Sequence, residues 1–361
     1  MQRGILYGLV SAALFGLSTP LAKSLLGSVD PLLLAGLLYA GSGVGLSCVL
    51  GVRALTPRTR VGIALPRGVE WGWLAAAIFF GGIAGPVALM YGLLRTPAST
   101  ASLLLNLEAV FTALLAWFLF RENFDRRIAL GMAAFVAGGL VLAWSPGHGI
   151  GGSGGTWLIA AACLCWALDN NLTRRASTAD PIVIAACKGV VAGVVNLSLA
   201  LFLGRQLPSV AISTAALLVG LCGYGVSLVL FVLALRDLGS ARTGAYFSVA
   251  PFIGAAAAVA LQGDALSAQL LVAGALMAIG VWLHVTEHHE HVHVHEPQEH
   301  THSHVHDEHH RHAHAFDWNG REPHVHAHLH EKLVHAHPHY PDVHHRHAHQ
   351  AQDPDAADRD G

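Results

Sequence analysis

Three ionisable residues lie deep inside long apolar stretches of the sequence, whereas a fourth, Lys23, lies near the end of one stretch and can snorkel to the interface. Glu108 falls near the middle of one stretch, and Asp169 and Lys188 fall at similar depths in two consecutive ones. A charge in hydrocarbon is costly, so such residues usually face the interior of a helix bundle. We expect Glu108 to be a proton or cation site; the alternative is a neutral structural carboxyl, hydrogen-bonded to a neighbour such as Asn106 or a tyrosine. Asp169 and Lys188 are expected to form a structural ion pair, with a substrate clamp as the alternative.

Other polar and helix-breaking residues of the same stretches are candidates for lining a transport cavity with these three. A proline inside a helix frees a carbonyl that a ligand can use, although most membrane prolines only kink the helix. Pro86 interrupts one further stretch in the same way. The remaining candidate cavity residues are Asn106, Asn170, Tyr224, Tyr246, Pro20 and Pro251.

The C-terminal segment contains a second kind of chemistry, since it holds 24 of the 26 histidines in a His-x-His pattern. In an extended chain alternate residues share a side, and neutral imidazole is a common ligand for zinc, nickel, cobalt and copper. The pattern predicts a disordered tail that binds divalent transition metals of this group, more weakly below about pH 6.5, where imidazole is protonated. A solvated linker is the alternative. The candidate ligands are His291, His293, His295, His300, His302, His304, His306, His324, His326, His328, His330, His335, His337, His339, His345, His347 and His349.

The elements that must position the cavity residues are helices that span a membrane. The chain is 53% hydrophobic and 12% charged, against about 25% charged in soluble domains. Spanning helices need about 20 apolar residues, whereas barrel strands would be shorter and strictly alternating. The sequence therefore predicts an all-α membrane protein with ten transmembrane helices, at residues 5–26, 31–52, 71–94, 98–120, 127–144, 156–174, 181–204, 213–235, 240–262 and 267–285.

A glycine-rich joint at residues 145–155 divides these helices into two sets of five. Glycine and proline disfavour regular structure, so we expect neither helix nor strand there. Because five is odd, a repeated second set must be inverted in the membrane, as in many secondary transporters. Asp30-Pro31 aligns with Asp180-Pro181, and residues 101–111 align with 243–253. The expected domains are a first repeat at residues 1–145, a linker at 146–155, a second repeat at 156–286 and a tail at 287–361.

Loop charges predict the orientation. If the N-terminus is cytoplasmic, most loop arginines lie on the cytoplasmic side, as the positive-inside rule requires. Ten spans then place both termini, including the histidine tail, in the cytoplasm of a bacterial-type inner membrane.

These features resemble the EamA-type transporters of the drug/metabolite transporter superfamily. The resemblance is carried by ten spans in two halves and by Leu105-Asn106-Leu107-Glu108-Ala109-Val110-Phe111 with the following Phe120-Arg121-Glu122, and it covers about residues 4–285. It implies efflux of metabolites or drugs, often amino acids, by proton exchange or facilitated diffusion. It also implies alternating access between the two halves. The histidine tail marks a subgroup.

No enzyme motif is present, because the sequence has no nucleophile elbow and no P-loop. We therefore expect a non-enzymatic transporter, an exporter, that needs no cofactor apart from metal at the tail. Its expected partners are the lipid bilayer, a small-molecule substrate and divalent metal ions. Gly-x-x-x-Gly motifs indicate helix packing or a homodimer face. The sequence contains no Lys/Arg patch, so we expect no nucleic-acid partner. The alternatives are a zinc, nickel or cobalt exporter fed by the tail, or a membrane-anchored metal store.

Overall fold

The computed structural model describes residues 2–55, 65–120, 126–145, 149–150, 154–173, 180–286, 289–295, 298–304, 324–330 and 333–339. The chain forms two compact units, Met1–Glu287 and His288–Gly361. The first unit is a helical bundle with two π-helical segments, Ile78–Ala84 and Leu221–Val226. Its α-helices are α1 Gln2–Leu25, α2 Pro31–Leu55, α3 Glu70–Ala77, α4 Gly85–Arg95, α5 Ala98–Leu104, α6 Leu107–Phe120, α7 Arg126–Ala143, α8 Gly155–Thr173, α9 Pro181–Phe202, α10 Val210–Gly220, α11 Ser227–Phe247, α12 Ala250–Gln262 and α13 Ala268–Val285.

The predicted all-α membrane fold is confirmed. Nine of the described helices, including those interrupted by π segments, are long and apolar enough to cross a membrane. The sixth predicted span is α8, a helix of 19 residues. Its C-terminal part contains the polar run Asp169-Asn170-Asn171, which lowers its mean hydropathy below that of the other spans.

Two kinds of helix irregularity recur in corresponding spans of the two halves. The third span passes through the π segment Ile78–Ala84, and the eighth passes through Leu221–Val226. The fourth span is interrupted at residues 105–106, between α5 and α6, and the ninth at residues 248–249, between α11 and α12. π segments and broken transmembrane helices are common at functional sites and at the substrate sites of transporters with inverted repeats.

Helices α2 and α9 pack antiparallel and are joined by an ion pair at each end. Each helix begins with an aspartate that caps it, as the Asp-Pro pairs predict: Asp30 Oδ1 accepts from the Leu32 amide and Asp180 Oδ1 from the Ile182 amide. Asp30 Oδ2 also lies 3.3 Å from Arg205, and Asp180 Oδ2 lies 3.5 Å from Arg53. Each cap is thus bridged to an arginine at the end of the opposite helix.

Between these ends the two helices approach so closely that only small residues fit. A Cβ added to Gly189 would lie 2.6 Å from the Gly43 Cα, and one added to Gly193 would lie 2.8 Å from the Ala40 Cα. The Gly189-x-x-x-Gly193 motif is therefore a packing seam within one chain, one of the two roles expected for it.

Two local expectations are wrong. The glycine-rich joint was expected to hold neither helix nor strand, but Trp144–Ser145 pairs antiparallel with Gly149–Ile150, and α8 already begins at Gly155. These two strands, β1 and β2, are two residues long each. A break was also expected between the eighth and ninth spans near residues 236–239. The helix α11 continues through it, because that connection contains no proline.

The second unit differs from the disordered tail that the sequence predicts. Four ranges form strands: β3 His289–His295, β4 Gln298–His304, β5 His324–His330 and β6 Leu333–His339. β3 pairs antiparallel with β6, and β4 pairs antiparallel with β5. Alternating β-branched or apolar residues between the histidines favour such extended ladders. The candidate ligands His306, His345, His347 and His349 lie outside the described residues.

Candidate functional site: a cavity between the two halves

A cavity of about 290 Å³ lies between the first and second halves of the helical unit. Its size suits a small organic molecule, at the lower end of the usual range for ligand pockets. The first half contributes α1, α2 and α6, and the second half contributes α8, α9, α11 and the second π segment. The lining residues are Phe15, Tyr39, Ser42, Glu108, Trp166, Asp169, Asn170, Ala185, Lys188, Gly189, Gly223, Tyr224, Ser227, Leu228, Phe231 and Phe247.

One wall of the cavity carries a closed triangle of polar contacts. Lys188 Nζ lies 2.5 Å from Asp169 Oδ1 and donates to Thr173 Oγ1 at 2.8 Å. Thr173, one helical turn after Asp169, in turn donates to Asp169 Oδ1 at 2.9 Å. The Lys188 and Asp169 side chains are only 17% and 12% exposed. The pair anticipated from depth alone is therefore in direct contact, and each charge compensates the other.

Glu108 is the second polar group of the cavity wall. Unlike Asp169, which is paired with a lysine, Glu108 is hydrogen-bonded to an amide side chain. Asn170 Nδ2 donates to Glu108 Oε1 at 2.8 Å and also lies 3.5 Å from Thr112 Oγ1. Among the described side chains, no Lys or Arg forms an ion pair with Glu108. Its carboxylate is held by an amide, so it can accept a proton or a ligand cation without first releasing a protein charge.

Aromatic rings form most of the remaining surface. Ring centroids lie 5.6 Å apart for Tyr39 and Tyr224, and 6.2 Å apart for Tyr224 and Phe15. The row continues to Phe247 at 5.3 Å from Phe15, and to Phe231 at 5.0 Å from Phe247. These spacings are those of edge-to-face or offset aromatic pairs. The cavity is therefore apolar and aromatic around two small polar groups, which suits an amphipathic organic ligand.

The structure brings five of the nine candidate cavity residues to this lining, namely Glu108, Asp169, Asn170, Lys188 and Tyr224. The other four lie elsewhere in the bundle.

Asn106 donates to the Leu103 carbonyl at 2.9 Å, within its own helix interruption. Tyr246 packs against Gly8, where a Cβ would lie 3.2 Å from the Tyr246 Cβ. The carbonyl of Pro20 accepts a hydrogen bond from Gln262, and Pro251 lies in the first turn of α12.

Sequence reasoning identified Tyr224 but missed the other aromatic residues of the walls, because it searched mainly for charged and polar residues. A usable signal was helical spacing from the residues that it did identify. Trp166 precedes Asp169 by three residues and Asn170 by four, so all three share one face of α8. Tyr39 and Ser42 are spaced by three in the same way on α2.

Polar contacts also join four helices at the end of the bundle where α1 ends. Lys23 donates to the Leu93 carbonyl, and Gln262 donates to Ser24 Oγ at 2.9 Å. The amide of Ser99, at the start of α5, donates to Asp264 Oδ2 at 2.8 Å. These contacts tie α1, α4 and α5 to the end of α12.

Metal ligation has no support in the bundle. Where side chains are described, no group of three or more His, Cys, Asp or Glu is arranged to hold a metal ion. In the second unit, the backbone register pairs histidine with histidine across both ladders. The pairs are His289 with His339, His291 with His337, His293 with His335, His300 with His328, His302 with His326, and His304 with His324.

Comparison with known proteins supplies a family. The EamA-like transporter family matches residues 2–144 and again residues 153–286, so two copies of the family's repeat are present. A transporter of uncharacterised function from Methanothermobacter thermautotrophicus is 28% identical over 282 residues, covering 74% of this chain and 82% of its own length. A probable terminal-alkyne amino-acid exporter from Streptantibioticus cattleyicolor is 27% identical over 250 residues, covering 68% and 84%. A crystal structure with 19% identity covers 78% of this chain and 96% of its own, at a TM-score of 0.56, and shares the fold.

Proposed function

The chain belongs to the EamA-like transporter family, and we propose that it exports small organic metabolites that carry an amino group across the inner membrane. The observation that carries this proposal is the cavity between the halves, in which Glu108 faces an aromatic chamber and accepts a hydrogen bond from Asn170, with no Lys or Arg paired to it in the part of the chain that the structure describes. The ammonium group of a substrate can therefore provide the positive charge that compensates the Glu108 carboxylate. The amino-acid exporter of Streptantibioticus cattleyicolor supports the same substrate class.

Glu108 serves as a shared site for a proton and for the substrate ammonium. Substrate binding from the cytoplasm displaces the proton from Glu108, and a proton from the opposite side displaces the substrate after the cavity reorients. Lys188 can offer its ammonium to a substrate carboxylate, since Asp169 and Thr173 already hold it at the cavity wall. The aromatic row encloses the substrate's side chain.

Alternating access arises from movement of one repeat relative to the other around this cavity. The contacts of Lys23, Gln262 and Asp264 close one end of the bundle. The excess of loop arginines on the N-terminal side favours cytoplasmic termini, so the closed end is the external one. Export requires those contacts to open.

Transport in proteoliposomes tests this proposal. Radiolabelled L-alanine and L-phenylalanine serve as probes, with an imposed proton gradient as the driving force. The Glu108→Gln variant is expected to lose gradient-driven accumulation while keeping its melting temperature, because Asn170 can still hydrogen-bond to the amide oxygen. Glu70→Gln, at the start of α3 and outside the cavity lining, is the matched control. Gradient-driven accumulation by Glu108→Gln at the wild-type rate would contradict the role of Glu108.

The histidine-rich unit is proposed to bind divalent transition metals, independently of transport. Its support is the register that sets histidines opposite one another on two ladders. Directly opposed residues have Cβ atoms about 4.5–5.5 Å apart, a separation that two imidazoles sharing one ion can span. Copper, nickel, cobalt and zinc all accept imidazole.

Titration of the full chain with Zn²⁺, Ni²⁺ or Co²⁺ tests metal binding, with the chain truncated after Thr286 as the control. We expect binding in the full chain only, weakening as the pH falls below about 6.5. If the paired register supplies the sites, His291→Ala with His337→Ala removes one metal equivalent, whereas His291→Ala with His335→Ala removes two. Equal losses would reject the paired register and keep the tail as an unordered metal-binding tract.

The alternative of direct metal export has less support. Within its described residues, the bundle has no group of three or more His, Cys, Asp or Glu arranged to hold a metal ion, and Asp169 at the cavity wall is already paired with Lys188. Truncation after Thr286 separates the two functions. Amino-acid transport that persists in the truncated protein supports organic export, whereas loss of metal tolerance alone in cells supports metal export.

A further inference from the structure

Pro86 removes a helical hydrogen-bond donor at the point where the first π segment meets α4. A proline nitrogen carries no hydrogen, so Pro86 cannot donate to the carbonyl four or five residues before it. Those carbonyls belong to Gly82 and Gly81. The preceding residue shows the π-type spacing, since the Gly85 amide donates to the Phe80 carbonyl, five residues back.

The two carbonyls accept hydrogen bonds from other helices instead. Gly81 O accepts from Tyr39 OH at 2.6 Å and from Trp166 Nε1 at 3.0 Å. Gly82 O accepts from Asn196 Nδ2 at 3.0 Å, and Asn196 is fully buried. Buried carbonyls without a partner are costly, so these side chains satisfy groups that the helix itself leaves open.

Two of the three donors line the transport cavity. Tyr39 stacks at 5.6 Å on Tyr224, and Trp166 lies three residues before Asp169 on the same helix face. The glycines of this segment make room for them. A Cβ on Gly85 would lie 3.2 Å from Trp166 Nε1, and one on Gly81 would collide with the Asp169 carboxylate.

The corresponding π segment of the second half has no proline after it. Residues Leu221–Val226 are followed by Ser227 and Leu228, so no proline interrupts the donors there. Next to that segment, Ser11 on α1 and Ser227 on α11 each donate a hydrogen bond to the other's carbonyl. The loss of a helix donor to proline is therefore specific to the first half, on the side of the cavity that holds Tyr39 and Trp166.

We propose that Pro86 is a positioning residue for the transport cavity, and that Tyr39 and Trp166, held on the carbonyl of Gly81, determine which substrate side chains the cavity accepts. This inference rests on the proposed export of amino-bearing metabolites. Both rings are fixed at their polar atoms, so the space between them and the aromatic row on the opposite side has a defined width. Loosening either hydrogen bond widens the range of side chains that fit.

The test compares KM for L-alanine with KM for L-phenylalanine in proteoliposomes. Pro86→Ala restores an amide donor within the helix, which then competes for the Gly81 and Gly82 carbonyls. We expect the ratio of the two KM values to change about two- to tenfold, the effect of one hydrogen bond, with kcat changed less. Trp166→Phe and Tyr39→Phe, which keep a ring but remove the donor, are expected to change the ratio in the same direction.

A second readout does not depend on the substrate. Protein labelled with 5-fluorotryptophan gives a fluorine resonance for Trp166, assigned by its absence in Trp166→Phe. Pro86→Ala is expected to shift that resonance. Pro97→Ala is the matched control, because Pro97 is exposed and lies before α5, where no interior donor is created.

An unchanged Trp166 resonance in Pro86→Ala, or the same shift in Pro97→Ala, would overturn the positioning role. If Pro86→Ala does not fold, the two phenylalanine variants decide, and an unaltered KM ratio in both refutes the proposal. If the wild-type protein transports neither amino acid, the proposed substrate class fails, while the fluorine resonance still tests the positioning of Trp166.

Discussion

Removing one member of the Asp169–Lys188 pair should destabilise the bundle far more than removing both. The two side chains are almost buried and lie 2.5 Å apart. Lys188→Met leaves the Asp169 carboxylate with no counter-charge and with the Thr173 hydroxyl as its hydrogen-bond donor, and Asp169→Asn leaves the Lys188 ammonium without its counter-charge. Breaking a buried ion pair in this way costs about 3–5 kcal/mol. The double variant has no uncompensated charge and is expected to lose less stability than either single variant.

The measurement is thermal unfolding of the purified protein in nanodiscs. A loss of about 3 kcal/mol corresponds to a fall in melting temperature on the order of 5–10 °C for a unit of this size. Arg205→Met is the matched control, since the Arg205 side chain is 49% exposed and its pair with Asp30 spans 3.3 Å. An exposed pair contributes about 0–1 kcal/mol, so this variant should stay close to the wild type.

Two results would refute this reasoning. One is a Lys188→Met variant as stable as Arg205→Met, which would mean that Lys188 is not needed to compensate the charge of Asp169. The other is a double variant less stable than both single variants, which would mean that the pair contributes net stability rather than mutual compensation.

Two further predictions concern helix packing. Gly189→Ala should lower the free energy of unfolding by about 1–3 kcal/mol, because its Cβ would lie 2.6 Å from the Gly43 Cα. Gly72→Ala, with open space around its Cβ, is the control and should be neutral or stabilising by up to about 1 kcal/mol. Equal melting temperatures of the two variants would contradict the close approach of the helices. Ser11 and Ser227 each donate to the other's carbonyl, at 2.7 and 2.9 Å, so either alanine variant should cost about 0.5–1.5 kcal/mol and the double variant less than the sum. Strict additivity in that double-mutant cycle would show that the two hydroxyls do not interact.

The sequence predicted the helices and the depth of the charged residues, but not the faces on which side chains lie. Apolar length alone identifies a span, and counting from its ends placed Asp169 and Lys188 at the same level. The hydrogen-bond partner of Glu108 could not be identified by such counting. Asn106 is two residues away, a spacing that does not share a helix face, and it lies in the interruption between α5 and α6. Asn170, on a different helix, reaches Glu108 instead.

The π segments were beyond sequence reasoning for a related reason. Pro86 was recognised as an interruption, which left open whether it kinks the helix or exposes a carbonyl. The answer depends on whether donors from other helices reach the carbonyl of Gly81, and Tyr39 and Trp166 are 42 and 85 residues away in sequence. Only the packed bundle brings these three residues together.

The chemistry of the cavity comes from positions at which the two repeats differ. In the alignment of residues 101–111 with 243–253, Glu108 corresponds to Ala250. Counting from the Asp-Pro pairs, Lys188 corresponds to Leu38. The two family repeats share paired irregularities, namely the two π segments and the two interrupted spans. The proposed substrate, with distinct ammonium and carboxylate ends, needs an asymmetric site: the first half contributes Glu108, and the second half contributes Lys188 with its partner Asp169. This division predicts that exchanging Glu108 and Ala250 in a double variant preserves folding but abolishes transport, because the carboxylate then lies on the helix that carries Phe252 rather than beside Asn170.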